Sequence, residues 1–180
     1  MGLGQTMLTA GLLVLLIMIT ISANKMLMDS SMTAYESESI NIAADLANSL
    51  ITEATRKKFD EGQANYGTLG VNAFTTASSF GPESGEALTT VPDVAPFQSV
   101  LKFDDVDDYH GYSRIVDGQS LKGFKITAKV SYVTLSSQHI VNTTSKTALK
   151  RLDVTIEHSL YMPMRPDSTR GFTITRILTY

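Results

Sequence analysis

The pattern of apolar and polar positions begins with an uncharged apolar stretch. No Asp, Glu, Lys or Arg precedes Lys25, and residues 7–21 are almost wholly apolar. A helix needs about 20 such residues to cross the roughly 30 Å hydrocarbon core of a bilayer. The pattern therefore predicts an apolar helix over residues 1–24 that lies in a membrane or in the core of a filament.

After Lys25 apolar residues recur at helical spacing, with polar residues between them. Because residues three and four apart share one face of a helix, this spacing predicts an amphipathic continuation of the helix over residues 25–61. We expect its apolar stripe to pack on the protein's own sheet, and Asp29–Thr33 to be a weak point where the helix kinks or melts locally. The stripe consists of Met28, Met32, Tyr35, Ile42, Leu46, Leu50 and Ala54.

Residues 62–99 differ from the helix because they are rich in Gly, Ser, Thr and Pro. These residues favour turns, so the segment is predicted to be a long loop region and not a second domain. Two short apolar pieces, Val71–Phe74 and Val100–Phe103, are interpreted as brief strands or edge segments.

Residues 100–180 are predicted to form a globular domain with an antiparallel β-sheet. Phe124–Tyr132 and Leu152–Leu160 alternate apolar and polar side chains, as strands with one buried face do. His158 interrupts the second pattern and is interpreted as structural. We interpret Ser136–Thr147 as a polar connection and Phe172–Thr179 as a final strand, which gives three or more strands in sequence order. With the helix covering the sheet, the fold class is α+β.

Composition narrows the function classes. The chain has 180 residues, 15 Lys and Arg, 18 Asp and Glu, a net charge of −3 and no cysteine. No basic face favours a nucleic-acid partner, and disulfides are excluded. The three histidines are far apart, and the glycines match neither a phosphate-binding loop nor a Gly-x-Ser-x-Gly motif. We therefore expect neither an enzyme nor a cofactor.

One acidic run is a weak candidate for a metal site. Asp104, Asp105, Asp107 and Asp108 supply four carboxylates within five positions. An EF-hand loop needs oxygen ligands at alternate positions, and counting from Asp105 places Tyr109 at the third ligand position. We expect a solvated turn whose aspartates cap backbone groups. An irregular calcium site is the alternative.

The order of these parts resembles the type IV pilin-like superfamily, which includes the pseudopilins of type II secretion. Residues 103–112, Phe-Asp-Asp-Val-Asp-Asp-Tyr-His-Gly-Tyr, resemble the Asp-Asp-x-Asp-Asp-Tyr-x-Gly segment of some minor pilins, including those of mannose-sensitive haemagglutinin type pili. Lys150–Ile156 is similar to the strand in that group that begins with basic residues and then alternates.

The resemblance implies a fimbrial subunit that is stored in the cytoplasmic membrane and then polymerises with copies of itself into a filament at the cell surface. Assembly machinery with a separate ATPase would drive the process, and adhesion and secretion are among the roles of such filaments. The residues implied in assembly are Met1, Gln5, Met7, Leu8, Leu12, Leu13, Leu15, Leu16, Ile17 and Ile19. If Met1 is the first residue of the mature chain, Gln5 takes the place of a glutamate that pairs with a neighbouring N-terminus.

Two other interpretations of the apolar start remain open. A cleaved secretory signal lacks support, because no basic residue precedes the apolar run and Ile21 is too bulky for the position three residues before a cleavage site. A single membrane span that anchors an extracytoplasmic binding or sensor domain fits the length of the run. This anchored domain is the alternative to the filament subunit.

Overall fold

The computed structural model describes residues 2–118, 120–165 and 169–180. The chain divides into two compact units, Met1–Glu38 and Ser39–Tyr180. The first unit is helical from Leu3 onward, and the second contains the end of that helix, several short helical turns and an antiparallel sheet. A long N-terminal apolar helix followed by a C-terminal sheet confirms the predicted α+β fold class.

Helix α1 runs from Leu3 to Thr55 and contains 53 residues. It continues through Asp29–Thr33, so the expectation of a melted turn there is wrong. The hydroxyls of Ser31 and Thr33 each donate to the backbone carbonyl four residues earlier, at 2.9 Å. Bonded in this way, they do not pull the backbone out of the helix.

The end of α1 comes earlier than the predicted position 61. Beyond Thr55 the backbone N–H of Lys58 donates to the carbonyl of Asp104, and the N–H of Val106 donates to the carbonyl of Lys58, both at 3.0 Å. These two bonds pair residue 58 with the acidic segment as a short parallel bridge. A backbone committed to that pairing cannot continue the helical bonding pattern.

The second half of α1 packs on the sheet through a narrow line of small residues. Ser39, Ala43, Ala47, Leu50 and Ala54 are completely buried. The sequence pattern correctly predicts this packing for Leu50 and Ala54, and Ile42 and Leu46 are partly buried beside the line. For Met28, Met32 and Tyr35 the expectation is wrong, because they are 70%, 54% and 48% exposed. Small side chains occupy most of this buried line, while larger side chains such as Ile42, Leu46 and Ile51 pack partly buried against the same core.

The sheet is antiparallel, and its main order is β1-β2-β4-β5. The two predicted alternating strands are confirmed up to Glu157, because Phe124, Ile126, Val130, Leu152 and Val154 all belong to the core that α1 also enters. The second predicted pattern extends to Leu160, which lies beyond the strand and is 61% exposed. The strands are β1 Ser113–Val116, β2 Phe124–Ser136, β3 His139–Thr143, β4 Leu149–Glu157 and β5 Gly171–Thr179.

Strand β3 lies within the segment predicted to be a polar connection, so that prediction is wrong. It pairs with the far end of β2, outside a simple sequence order. Ser137 and Gln138 join the two strands and both have positive φ, 49° and 70°. A two-residue turn with both residues at positive φ matches the twist of a β-hairpin.

The two short apolar pieces expected to be strands are helical instead. Residues 70–73 form a 3-10 turn, and helix α3 covers Ser99–Lys102, whereas α2 is the short helix Tyr66–Leu69. Phe74 and Phe103, which follow these turns, are each 1% exposed. Each piece thus supplies one buried aromatic ring, and the alternating face of a strand is not needed.

Candidate functional site

The first candidate site is the surface of α1 within the unit Met1–Glu38. The predicted assembly residues from Met7 to Ile19 are 48–71% exposed, and Gln5 is exposed as well. Met1 lies outside the described residues. This is the one helix among the described residues that is long and apolar enough to cross a membrane, and a signal sequence has the same features. So large an apolar surface is not stable in water and marks a site of contact with lipid or protein.

The second candidate site is the acidic segment, which is not the solvated turn expected from the sequence. Asp105, Asp107 and Asp108 are at most 1% exposed, and Asp107–Tyr109 form a 3-10 turn. Buried carboxylates are costly unless they are paired or hydrogen-bonded. Groups from distant parts of the chain meet that requirement here, which explains why the local sequence misleads.

Backbone amides within the segment satisfy part of this requirement. Asp105 Oδ1 accepts from the N–H groups of Asp107 and Asp108 at 2.8 and 3.3 Å, and Asp108 Oδ2 accepts from those of Asp104 and Asp105 at 2.9 and 3.1 Å. Burial, followed by the neighbouring carboxylate of Asp107, raises the pKa of Asp105 to about 9. Burial also raises the pKa of Asp108 to about 6. Asp105 and Asp108 therefore lie in a setting that disfavours negative charge.

Lys150 brings the opposite charge into the core. Its Nζ lies 2.8 Å from Asp60 Oδ2, 2.8 Å from Asp107 Oδ1 and 2.6 Å from the carbonyl oxygen of Phe59, and the side chain is completely buried. The ring of Phe59 lies 4.7 Å from the ammonium, and the ring of Phe80 lies 5.2 Å away. All three donors of the ammonium are used, so the group is suited to holding structure and not to chemistry on a substrate.

A second buried pair joins α1 to β1. Glu53 Oε2 accepts from Arg114 at 2.8 Å, and Glu53 Oε1 accepts from the hydroxyls of Tyr109 and Ser99 at 2.9 and 2.8 Å. Burial, followed by the charge of Glu53, raises the pKa of Tyr109. Tyr109 therefore stays a neutral donor, and the network fixes the acidic segment against the helix.

The four aspartates of the candidate calcium site do not converge on one point. Asp107 bonds to Lys150, and Asp104 Oδ2 lies 2.6 Å from Lys58 Nζ. Two other groups bring carboxylate oxygens within 4.8 Å of one another: Glu61 with Asp104 and Asp105, and Glu83 with Glu86 and Asp108. The sequence patterns do not predict the three glutamates in these groups, Glu61, Glu83 and Glu86, as candidate metal ligands. The residues around them in the sequence do not indicate that they lie near the aspartates.

The buried lysine does have a sequence signal. Lys150 shares its parity with Leu152, Val154 and Ile156, so a strand with those residues inward must also point Lys150 inward. Its partner Asp60 lies near the end of the helical pattern, and nothing local links the two positions. The strand pattern thus predicts the burial of Lys150 but not its partners.

Comparison with known protein families, with characterised proteins and with solved structures finds no match for this chain. The function is therefore argued from the fold and the two candidate sites.

Proposed function

We propose that this chain is a structural subunit of an extracellular filament of the type IV pilus kind, and that it polymerises through its apolar N-terminal helix. The observation that carries the proposal is the exposed, uncharged surface of α1 from Leu3 to Ile21. The same helix continues into the amphipathic part that packs on the sheet. The resemblance of residues 103–112 to a minor-pilin segment adds support.

The physical basis is that lipid and a polymer core are alike as solvents for this surface. Burial of one Leu, Ile or Met side chain contributes about 1.5–3 kcal/mol relative to water. Some ten such side chains therefore hold the helix strongly in any apolar surrounding. Passing directly from the cytoplasmic membrane into a bundle of identical helices avoids the aqueous state, so that a separate motor has only to supply the work of extraction.

Subunit contacts in such a bundle rely on packing, because lipid is as apolar as leucine. A Cβ atom placed at Gly2, Gly4 or Gly11 would have no neighbouring atom within 4 Å, so the helix faces at these glycines are open to close approach by another helix. Gln5 is exposed in the same stretch and can donate and accept hydrogen bonds between subunits. We propose hydrogen bonding by Gln5 in place of an ion pair.

The first test places one charge in the uncharged run. Leu13→Lys or Leu16→Lys should abolish thin filaments in electron micrographs of the expressing cells, because a lysine in the polymer core has no partner for its charge. Membrane fractionation should still find the chain in the membrane, because one lysine costs only about 2.5–3.5 kcal/mol at the centre of a span.

Ser37→Lys is the matched control, because it places the same side chain at an exposed position of α1 beyond the uncharged run. We expect filaments of this variant. If the wild-type chain occurs only as a membrane-bound monomer under all conditions, the filament proposal is wrong and the membrane-anchored domain takes its place.

A further inference from the structure

A loop and the acidic segment together form a compact group of three carboxylates. Glu83 and Glu86 come from the loop that follows Gly81, and Asp108 comes from the buried 3-10 turn. Their ligand oxygens all lie within 4.8 Å of one another. Glu83 is exposed, Glu86 is half-buried and Asp108 is 1% exposed, so the group lies at the edge of the domain with one side open to solvent.

Asp108 has an oxygen that nothing in the described chain satisfies. Its Oδ2 accepts two backbone N–H groups, whereas its Oδ1 is buried and has no hydrogen-bond partner among the described residues. A buried acceptor without a partner costs about 1–3 kcal/mol, and more when it is charged. The backbone therefore holds Oδ2 and leaves Oδ1 without a donor, in a carboxylate that has an oxygen within 4.8 Å of those of Glu83 and Glu86.

The loop sets the two glutamates side by side. The N–H of Glu86 donates to the carbonyl of Glu83 at 3.1 Å, which closes a turn, and Gly85 within it has φ of 108°. The N–H of Glu83 donates back to Glu86 Oε2 at 3.2 Å. The turn therefore brings together two groups that repel each other when both are ionised.

We propose that Glu83, Glu86 and Asp108 bind a divalent cation, and that calcium is the cation the site fits. Three carboxylates supply only oxygen ligands, which suit a hard cation and not zinc. Calcium accepts irregular and partly hydrated oxygen coordination, whereas magnesium needs near-ideal octahedral geometry. This site does not depend on the proposed filament function.

The other carboxylate group is less suited to a cation. Asp104 in that group is already paired with Lys58 at 2.6 Å, which supplies positive charge at the site. By contrast, no salt bridge joins Glu83, Glu86 or Asp108 to a lysine or arginine among the described residues. Burial and then the hydrogen-bonding contact with Glu86 raise the pKa of Glu83 to about 8. A cation at this point removes the repulsion that the loop otherwise has to bear.

The structural consequence of binding would be a clip between two parts of the domain that are distant in sequence. Glu83 and Glu86 lie in the Gly- and Pro-rich loop, whereas Asp108 is fixed by backbone amides in the core. A shared cation would tie that loop to the core, as a cross-link does in a domain without cysteine.

The test uses the full chain in detergent micelles, with calcium chloride as the probe. We expect a calcium Kd of about 1 mM, which is in the range of extracellular calcium-binding modules. Binding with this affinity should raise the Tm by about 5 °C at about 10 mM calcium. Magnesium at the same concentration should give a smaller rise, and EDTA should reverse it. Hydrogen exchange at residues 81–88 should slow when calcium is added.

Glu83→Gln with Glu86→Gln is the main variant, because these side chains lie at the surface and their loss leaves the core intact. It should abolish the calcium-dependent rise in Tm and the slower exchange. Asp108→Asn should have the same effect if it folds. Glu61→Gln with Asp104→Asn is the matched control in the other carboxylate group, and it should keep the full response.

Three outcomes overturn the proposal. Isothermal titration with calcium that detects no binding up to about 10 mM is one of them. A calcium response that survives in the Glu83→Gln, Glu86→Gln variant is another. The third is a response lost only in the Glu61→Gln, Asp104→Asn variant, which places the cation in the other group.

Discussion

Lys150 meets a condition that few buried lysines meet, because all three of its donors reach an oxygen in the core. Removing an ammonium and two carboxylates from water costs several kcal/mol for each ion, and the mutual attraction of these groups offsets that cost only when the geometry is good. The complete set of bonds around Lys150 satisfies this requirement. The arrangement therefore ties three chain segments together without contributing a large net stability.

The first prediction at this scale concerns the loss of the ammonium alone. Lys150→Met leaves Asp60 and Asp107 buried beside each other without a positive charge, so the free energy of unfolding should fall by about 3–5 kcal/mol. Denaturant titration of the full chain in detergent, followed by the near-ultraviolet circular dichroism of its tyrosines, measures this change.

Lys129→Met is the control, because Lys129 lies on the exposed face of β2 and its loss should change the same quantity by less than about 0.5 kcal/mol. Adding Asp60→Asn and Asp107→Asn to Lys150→Met should recover part of the stability. If Lys150→Met and Lys129→Met lower the free energy of unfolding equally, the ion pairs of Lys150 with Asp60 and Asp107 do not stabilise the fold.

The pKa values of Asp105 and Glu83 lead to a pH prediction for the protein in EDTA. Both pKa values are raised in the folded state, to about 9 and about 8, above the usual carboxyl value near 4. Between these values the two groups bind more protons in the folded state than in the unfolded state. The stability that they contribute is therefore present at low pH and is lost as the pH rises through the raised pKa values.

Denaturation midpoints at about pH 5 and about pH 8 should therefore show a less stable protein at the higher pH. Asp105→Asn should reduce this dependence of stability on pH, because the amide side chain does not titrate. The variant should still fold, since the amide oxygen can accept from the N–H groups of Asp107 and Asp108. A midpoint that rises with pH in both proteins contradicts the raised pKa values.

At the scale of elements, α1 shows how far the pattern of apolar positions predicts packing. Spacing at three and four residues correctly predicts that the second half of the helix packs on the sheet. Its most buried positions include Ala43, Ala47 and Ala54, whereas the more hydrophobic Ile42 and Leu46 are only partly buried. Hydrophobicity alone does not predict which helical positions are completely buried.

Ala47→Leu tests the close approach of helix and sheet. Ala47 is completely buried, and the added atoms would force α1 away from β2 and β4, so we expect a loss of about 1–3 kcal/mol in the free energy of unfolding. Asn41→Leu, at an exposed position of the same helix, is the control and should change it by less than about 0.5 kcal/mol. A similar small effect of both would mean that the contact tolerates a wider spacing.

The acidic segment shows where local pattern fails. Four aspartates within five positions indicate a solvated turn. Their burial depends on the segment's own backbone N–H groups and on tertiary partners, since Lys150 pairs with Asp107 and Glu53 accepts from Tyr109. Those partners come from elements far along the chain, whose pairing no spacing in the sequence specifies. The strands themselves are predicted well because their alternation is a local property.

For the whole molecule, the order of parts predicts the fold class, and the composition of residues 1–24 predicts an apolar helix with an exposed surface. The unit Ser39–Tyr180 has its own core and buried charge pairs. The unit Met1–Glu38 has no core of its own among its described residues. The exposed apolar surface of the first unit requires an apolar surrounding, lipid or protein, and the proposed polymer is one way to supply it.

The bonds of Lys150 also bear on the order in which the domain acquires its structure. Asp60 and Asp107 lie 90 and 43 residues away from Lys150 along the chain, so both loops must close before the ammonium is satisfied. A half-assembled domain that buries the lysine early carries an unpaired charge and is raised in free energy. Incomplete conformers that bury the lysine early are therefore disfavoured, and the full set of bonds around Lys150 forms only once all three chain segments are in place.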